Sequence, residues 1–213
     1  MDVMNPTINT MPIATTPQAI LDFWLGDGLT LGWPTQDLNK RWFGGSAELD
    51  AEIQSRFGSR VTEAMAGGLT DWESEPISRL ALIILLDQFT RNIFRGSAKA
   101  FEGDGRSQQL VADALGKGWD KQLPLVGGVF LLMPLMHAED LALQDECVRR
   151  LLSLAEDAPP EHKGALKSNA DFAAQHRDII ARYGRFPYRN AALGRVSNAA
   201  EEAFLTSGPR FGQ

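Results

Sequence analysis

Residues 74–94 read SEPISRLALIILLDQFTRNIF. Ser74 and Pro76 open a helix that runs through Leu80, Ile83, Ile84, Leu85 and Leu86 to about Phe94, and Gly96 stops it. The first half is apolar nearly all round, which places this helix at the centre of a core. At helical spacing Leu80, Ile83, Ile84, Asp87 and Arg91 share one face. Asp87 stands four residues before Arg91, the favourable order for an ion pair. Charges that continue a buried stripe are costly unless paired and hydrogen-bonded. Either the pair is buried and has a role, or the helix emerges into solvent there.

The same kinds of signal extend outward in both directions. Thr16-Pro17 is a cap followed by proline at the first helical position, and Gly26 ends that helix before a loop with Gly32 and Trp33-Pro34. Ser46 caps the next helix, which Gly67-Gly68 ends, with Leu49, Ile53, Phe57, Val61 and Met65 at helical spacing. Amphipathic helices are predicted over 106–117, 137–154 and 162–183, the last ending at Gly184. Leu123 to Met136 is uncharged, interrupted by Gly127, Gly128 and Pro134, and reads as a buried segment that Pro124 opens and Pro134 ends. Asn198 and Glu201 form a capping box for a last short helix. No alternating run competes with these readings. The expected architecture is all-α without a sheet: antiparallel helix pairs packed side by side, with a disordered tail over 1–15, one helical domain over 16–206 and a flexible end over 207–213.

A chain of 213 residues with 44% hydrophobic and 23% charged residues buries a sizeable core without staples. One cysteine, Cys147, allows no internal disulfide; on an apolar helical stretch it reads as a small buried hydrophobe. The formal charge of -6 leaves no basic footprint, so neither nucleic acid nor an anionic membrane surface is an expected partner. The longest uncharged run is too short to span a bilayer, and the N-terminus has no signal-peptide pattern. A cytoplasmic protein is expected.

Two further polar segments stand against apolar helices. His137-Ala138-Glu139-Asp140 follows the uncharged segment, with the acidic pair read as the first turn of a helix, where the dipole favours it. His137 there is either a packed structural histidine or a ligand contact. Then come His176, on the apolar stripe of its helix with Phe172, Ile179 and Tyr183, and the loop Arg185 to Arg195. From Arg177 to Arg195 there are five arginines, one aspartate and no lysine. Guanidinium forks suit carboxylates and phosphates, so this cluster is an internal ion-pair network, an anion site or a solvated face.

Taken in order, Asp22-Phe23-Trp24, Trp42-Phe43, Leu80 to Asp87-Gln88-Phe89 with Arg91-Asn92, Phe101 with Asp104, Pro134 with His137, Glu139 and Asp140, and His176 with Arg185-Phe186-Pro187, Arg189-Asn190 and Leu193-Gly194-Arg195 make a recognisable set. With them the chain resembles the bacterial domain-of-unknown-function family numbered 924 over about residues 20–205. The resemblance implies a compact right-handed array of helix pairs, tetratricopeptide-like in architecture without that consensus, and no established activity. Thr90 stands where the family usually has proline, Met136 and Ala138 flank His137 where glutamate and serine are usual, and Tyr188 replaces a histidine. Those departures weaken any role that needs the missing groups as metal ligands or catalytic acids.

The candidate pocket comprises Asp87, Gln88, Arg91, Asn92, Asp104, His137, Glu139, Asp140, His176, Arg185, Arg189, Asn190 and Arg195. The favoured reading is a binder of a small anionic ligand, or an enzyme of unknown reaction built there, with Asp87, Arg91, His137, His176 and Arg189 converging. No phosphate loop, nucleophile elbow or His-Glu-x-x-His motif names a reaction. No cofactor is expected. A metal held by His137, His176 and a carboxylate such as Asp104 or Asp140 finds no support in the spacing and is not adopted. The alternative is a helical scaffold that binds a peptide or protein, with the motif residues locking helices together.

Overall fold

The computed structural model describes residues 15–209. The expected tail over 1–15 lies outside the described residues except for Thr15, as do residues 210–213. Among the described residues there are helices and turns and no strand.

Helix α1 (Pro17–Leu25) starts where Thr16 accepts a hydrogen bond from the Ala19 amide at 3.2 Å, and Gly26 ends it at φ 58°. The stretch read as a loop contains two short helices, α2 (Gly28–Leu31) and α3 (Asn39–Phe43). Neither is long enough to show a period. Tertiary contacts hold α3: Arg41 Nη1 donates to the Phe23 carbonyl at 2.5 Å and Trp42 Nε1 to the Trp24 carbonyl at 2.7 Å. Both carbonyls belong to the last turn of α1, where no intrahelical donor remains.

Helix α4 (Ala47–Met65) is capped by Ser46, whose hydroxyl accepts from the Leu49 amide at 3.1 Å. Arg106 then donates to the carbonyls of Ala64 (2.5 Å) and Gly68 (2.8 Å) around its end. Helix α5 (Pro76–Ile84) runs without a break into a π segment, Leu85–Phe89, and on into α6 (Thr90–Ile93). Leu80 to Leu86 are wholly buried, as the opening stretch predicts. Arg79 is also buried, an exception the apolar reading misses. Its guanidinium reaches the carbonyls of Glu73 and Leu110 and stacks on Trp119, which anchors α5 to the next long helix, α7 (Asp104–Gly116).

The uncharged segment forms α8 (Leu125–Met136), buried from Val126 onward. It does not end at Pro134: the helix continues two residues further. Pro134 removes one amide donor, and the tight burial of its neighbours holds the helix together. Trp24 packs edge-on against Phe89 and Phe130, with ring centroids 5.3 and 6.2 Å away, which joins α1, the π segment and α8 in one core. Each such ring contributes roughly 1.5–3 kcal/mol by burial.

His137 caps the end of α8 and does not start the following helix. That helix, α9 (Leu141–Asp157), begins at Asp140, whose carboxylate accepts from the Ala142 and Leu143 amides at 2.8 and 3.1 Å. Helix α10 (Pro160–Tyr183) follows after Ala158 and Pro159 alone, so α9 and α10 pack as an antiparallel hairpin, and Gly184 closes it in the left-handed region. A single 3-10 turn, Pro187–Arg189, precedes α11 (Ala199–Ser207), which has the predicted Asn198–Glu201 capping box.

Candidate functional site

The π segment positions the first group. A π turn fits one more residue than an α turn, and such turns recur at functional sites. Here two side chains serve the local carbonyls: Thr90 Oγ1 donates to Leu86 at 2.8 Å and Arg91 Nη1 to Asp87 at 2.6 Å. The Asp87 side chain is buried and turned to the end of α8, where His137 Nδ1 lies 2.8 Å from its Oδ1. Gln88 Nε2 donates to the other oxygen at 2.5 Å.

From Asp87 a line of alternating charges runs through Arg91 and Asp104 to Arg189. Arg91 Nη1 lies 3.2 Å from Asp87 Oδ1, and Arg91 Nη2 lies 2.9 and 3.0 Å from the two oxygens of Asp104. Arg189 Nη1 reaches Asp104 Oδ2 at 3.4 Å. The Arg189 guanidinium stacks on Phe101 and Phe186, 4.7 and 4.5 Å from their centroids. Asp104 reaches this line because Gly103, just before α7, lies against the Leu86 backbone: a Cβ there would stand 2.3 Å from the Leu86 carbonyl oxygen.

Burial and neighbouring charges shift the titration of each group. Burial raises the Asp87 carboxyl, but Arg91 and then His137 outweigh it, so Asp87 is held below the usual carboxylate range and ionised. Burial lifts Asp104 above its ordinary value against the pull of Arg91 and Arg189. Burial lowers His137 and outweighs the attraction of Asp87, so the imidazole is neutral at pH 7. A carboxylate partner at Nδ1 requires the proton there, which makes Nε2 the basic nitrogen. His176, on α10, is pushed down to about 3 by burial and by His137; its Nδ1 donates to the Phe172 carbonyl at 2.8 Å. The two imidazole centroids are 6.2 Å apart.

Both imidazoles and Arg91 open onto a cavity of about 350 Å³, a size usual for small-molecule sites. Its polar wall is Gln88, Arg91, Asn92, Arg95, Asn169, His137 and His176, and its apolar wall Trp42, Phe43, Met133, Met136 and Phe172. The lining contains two guanidiniums and no carboxylate. Among the described residues the lining also contains no serine, threonine, tyrosine, lysine or cysteine. Among the described residues no three His, Cys, Asp or Glu side chains gather as ligands of a metal ion. Cys147 is buried and its thiol is pushed up to about 12 by burial, an inert core residue.

Of the thirteen candidates, Asp87, Gln88, Arg91, Asn92, Asp104, His137, His176 and Arg189 come together at the cavity or directly behind it. The other five do not line it. Glu139 binds Arg195 through two contacts, at 2.6 and 2.9 Å, and accepts the Phe186 amide at 2.8 Å. Arg195 Nε donates to Asn190 at 2.9 Å, and Arg185 forks onto Glu201 at 2.6 and 2.9 Å. Asp140 is the α9 cap and is not in a first turn as read. Trp42, Phe43, Arg95, Met133, Met136, Asn169 and Phe172 were not among the candidates. The five apolar ones read as core, and Arg95 and Asn169 are single polar residues outside the three motif segments.

The fold and site together define a helical protein, without a strand among the described residues, that has a buried, alternating charge line behind a partly open cavity. The family model described as "Bacterial protein of unknown function (DUF924)" matches residues 20–209, and the chain belongs to that family. A solved structure of a protein of unknown function from Agrobacterium tumefaciens is similar over 90% of this chain and 97% of its own, with 31% identity and a TM-score of 0.73. A search of the curated proteins finds no match. Membership brings no established activity. Among the described residues no helix is long and apolar enough to cross a membrane.

Proposed function

We propose that the cavity binds a small acidic molecule and that His137 takes up a proton as it does so. The observation that carries this is His137 in the cavity wall beside Arg91, held at 2.8 Å by the Asp87 carboxylate behind the wall. The charges around it are balanced. Arg91, Arg95 and Arg189 are paired with Asp50, Asp87 and Asp104. An anion added to a neutral cluster leaves one unit of negative charge, which protonation of His137 cancels. A dianion such as a phosphate would leave a second charge uncompensated at high cost. If the protein is an enzyme, His137 is its general base, acting on water or on the ligand itself.

Calorimetric titration with butyrate in buffers of different ionisation enthalpy tests the proposal. About one proton is taken up per ligand, and affinity rises by up to about tenfold per unit as pH falls toward the lowered His137 value. His137→Asn keeps a donor to Asp87 and loses the basic nitrogen, so proton uptake disappears. Equal affinity in that variant, with no proton uptake in either protein, would refute the proposal. The reading of the motif residues as purely structural is favoured at one place only, the Glu139–Arg195 and Arg185–Glu201 contacts, which hold the C-terminal loop.

A further inference from the structure

A second recess of about 190 Å³ adjoins the cavity, and the two have Trp42, Phe43, Asn169 and Phe172 in common. Phe43 and Phe172 are 52% and 49% exposed, although each is a large apolar ring. Single exposed apolar side chains are ordinary. Two of them on the one wall shared by adjacent hollows form an aromatic sill between the hollows. The far side of the recess is apolar in its depth, with Trp33, Pro34, Val129 and Phe130.

The two ends differ in charge. The first cavity carries guanidiniums and no carboxylate. Among the described residues the lining of the recess has no lysine or arginine and carries Asp37, whose carboxylate accepts from the Asn39 amide and side chain at 3.0 and 2.8 Å. A molecule lying across both hollows therefore has one favourable orientation: anionic head toward Arg91 and His137, apolar body over the sill. With the arginines and aspartates balanced, a proton on His137 admits a single negative charge.

From this juxtaposition we infer that the ligand is an elongated monocarboxylate whose apolar tail crosses Phe43 and Phe172 into the second recess. The inference rests on the reading of the first cavity as an acid-binding site and adds the class of ligand.

A series of straight-chain carboxylates from butyrate to decanoate, titrated against the full chain alongside n-alkanols of equal length, tests it. Once the first cavity is filled, affinity rises about fourfold per added methylene, as apolar burial requires. The alkanols bind more weakly at every length. Ala165→Trp fills the recess from α10, so affinity levels off at a shorter chain; Ser168→Trp does the same from the next turn should the first variant not fold. A flat series with butyrate still bound overturns the tail path and leaves the acid-binding cavity standing. A rise that persists unchanged in both tryptophan variants overturns it as well, since the tail then lies elsewhere. Equal binding of alkanols and carboxylates, or no binding of any probe, overturns both readings.

Discussion

Two charge networks meet at Phe186 and obey different physics. The inner line, Asp87–Arg91–Asp104–Arg189, touches the ring of Phe186 through Arg189. The outer clasp, Glu139–Arg195 with Arg185–Glu201, holds the same residue's backbone: Glu139 accepts its amide and Arg195 Nη2 donates to its carbonyl at 3.2 Å. Asp87, Arg189 and Arg91 are 1%, 5% and 9% exposed, whereas the Arg185 side chain is 30% exposed. Inside, each charge depends on its neighbour because water cannot replace it. Outside, water reaches the guanidiniums and Glu139, although the Glu201 carboxylate is itself only 1% exposed, so charge counts for less there than geometry. Arginine–carboxylate pairing thus serves an interior next to a cavity in one case and a loop fastening in the other.

The sharpest way to break this contrast is to remove Asp104, the anion between two buried guanidiniums. Asp104→Ala is expected to cost about 3–5 kcal/mol. That is a fall in melting temperature of roughly 10 °C for a domain of this size, read by calorimetry. Adding Arg189→Met should restore part of the loss, because the stranded charge goes with it. Full additivity of the two substitutions would mean that the pair does not interact.

Acid separates the networks next. The His176 pKa in the folded state, about 3, lies below the ordinary 6.5. The unfolded chain therefore binds that proton first, and stability falls as pH drops from about 6.5 toward 3, by up to about 1.4 kcal/mol per pH unit for the one proton. His137 is shifted the same way, so its contribution is also lost as pH falls below the ordinary imidazole value. Glu201, lowered to about 2 first of all by Arg185, and Glu139, lowered by Arg195 and the Phe186 amide against its burial, lose their contributions only below about 4.5. Urea midpoints measured between pH 4 and 6.5 should slope in the parent and flatten in His176→Leu; an unchanged slope contradicts the assignment.

Gly103→Ala probes the support of the inner line without touching a charge. Its Cβ would meet the Leu86 carbonyl oxygen, so Asp104 must move, at about 1–3 kcal/mol. The smallest effect is expected in the clasp. Arg195→Ala should cost about 1 kcal/mol globally while cleavage of the 191–198 loop by a protease accelerates severalfold. A larger loss for Arg195→Ala than for Asp104→Ala would reverse the ranking of the two networks.

Much of the helical framework is readable from residues next to one another. Thr16, Ser46 and the Asn198–Glu201 box mark helix starts, and Gly26 and Gly184 mark ends, because capping is a contact within a few residues. Asp87 and Arg91 are recognisable as charges on a buried stripe. Their aromatic neighbours in the site are not, since Trp42, Phe43 and Phe172 have the same apolar character as true core residues. The helix-start reading of His137 fails for a related reason: a proline two to three residues from a helix end looks like a stop, and only the burial of α8 carries the helix past it.

Local order alone determined that this chain is helical, where most helices begin, and that its central helix carries charges into the interior. Only the tertiary structure decided that the π segment turns Asp87 onto His137, that Asp104 comes up beneath Arg91, and that Arg189 turns inward while Arg185 and Arg195 turn to the rim. The reason is range. Helix periodicity and caps are set by residues within about four positions of each other, whereas pairing of buried charges depends on side chains up to 85 positions apart, as Asp104 and Arg189 are.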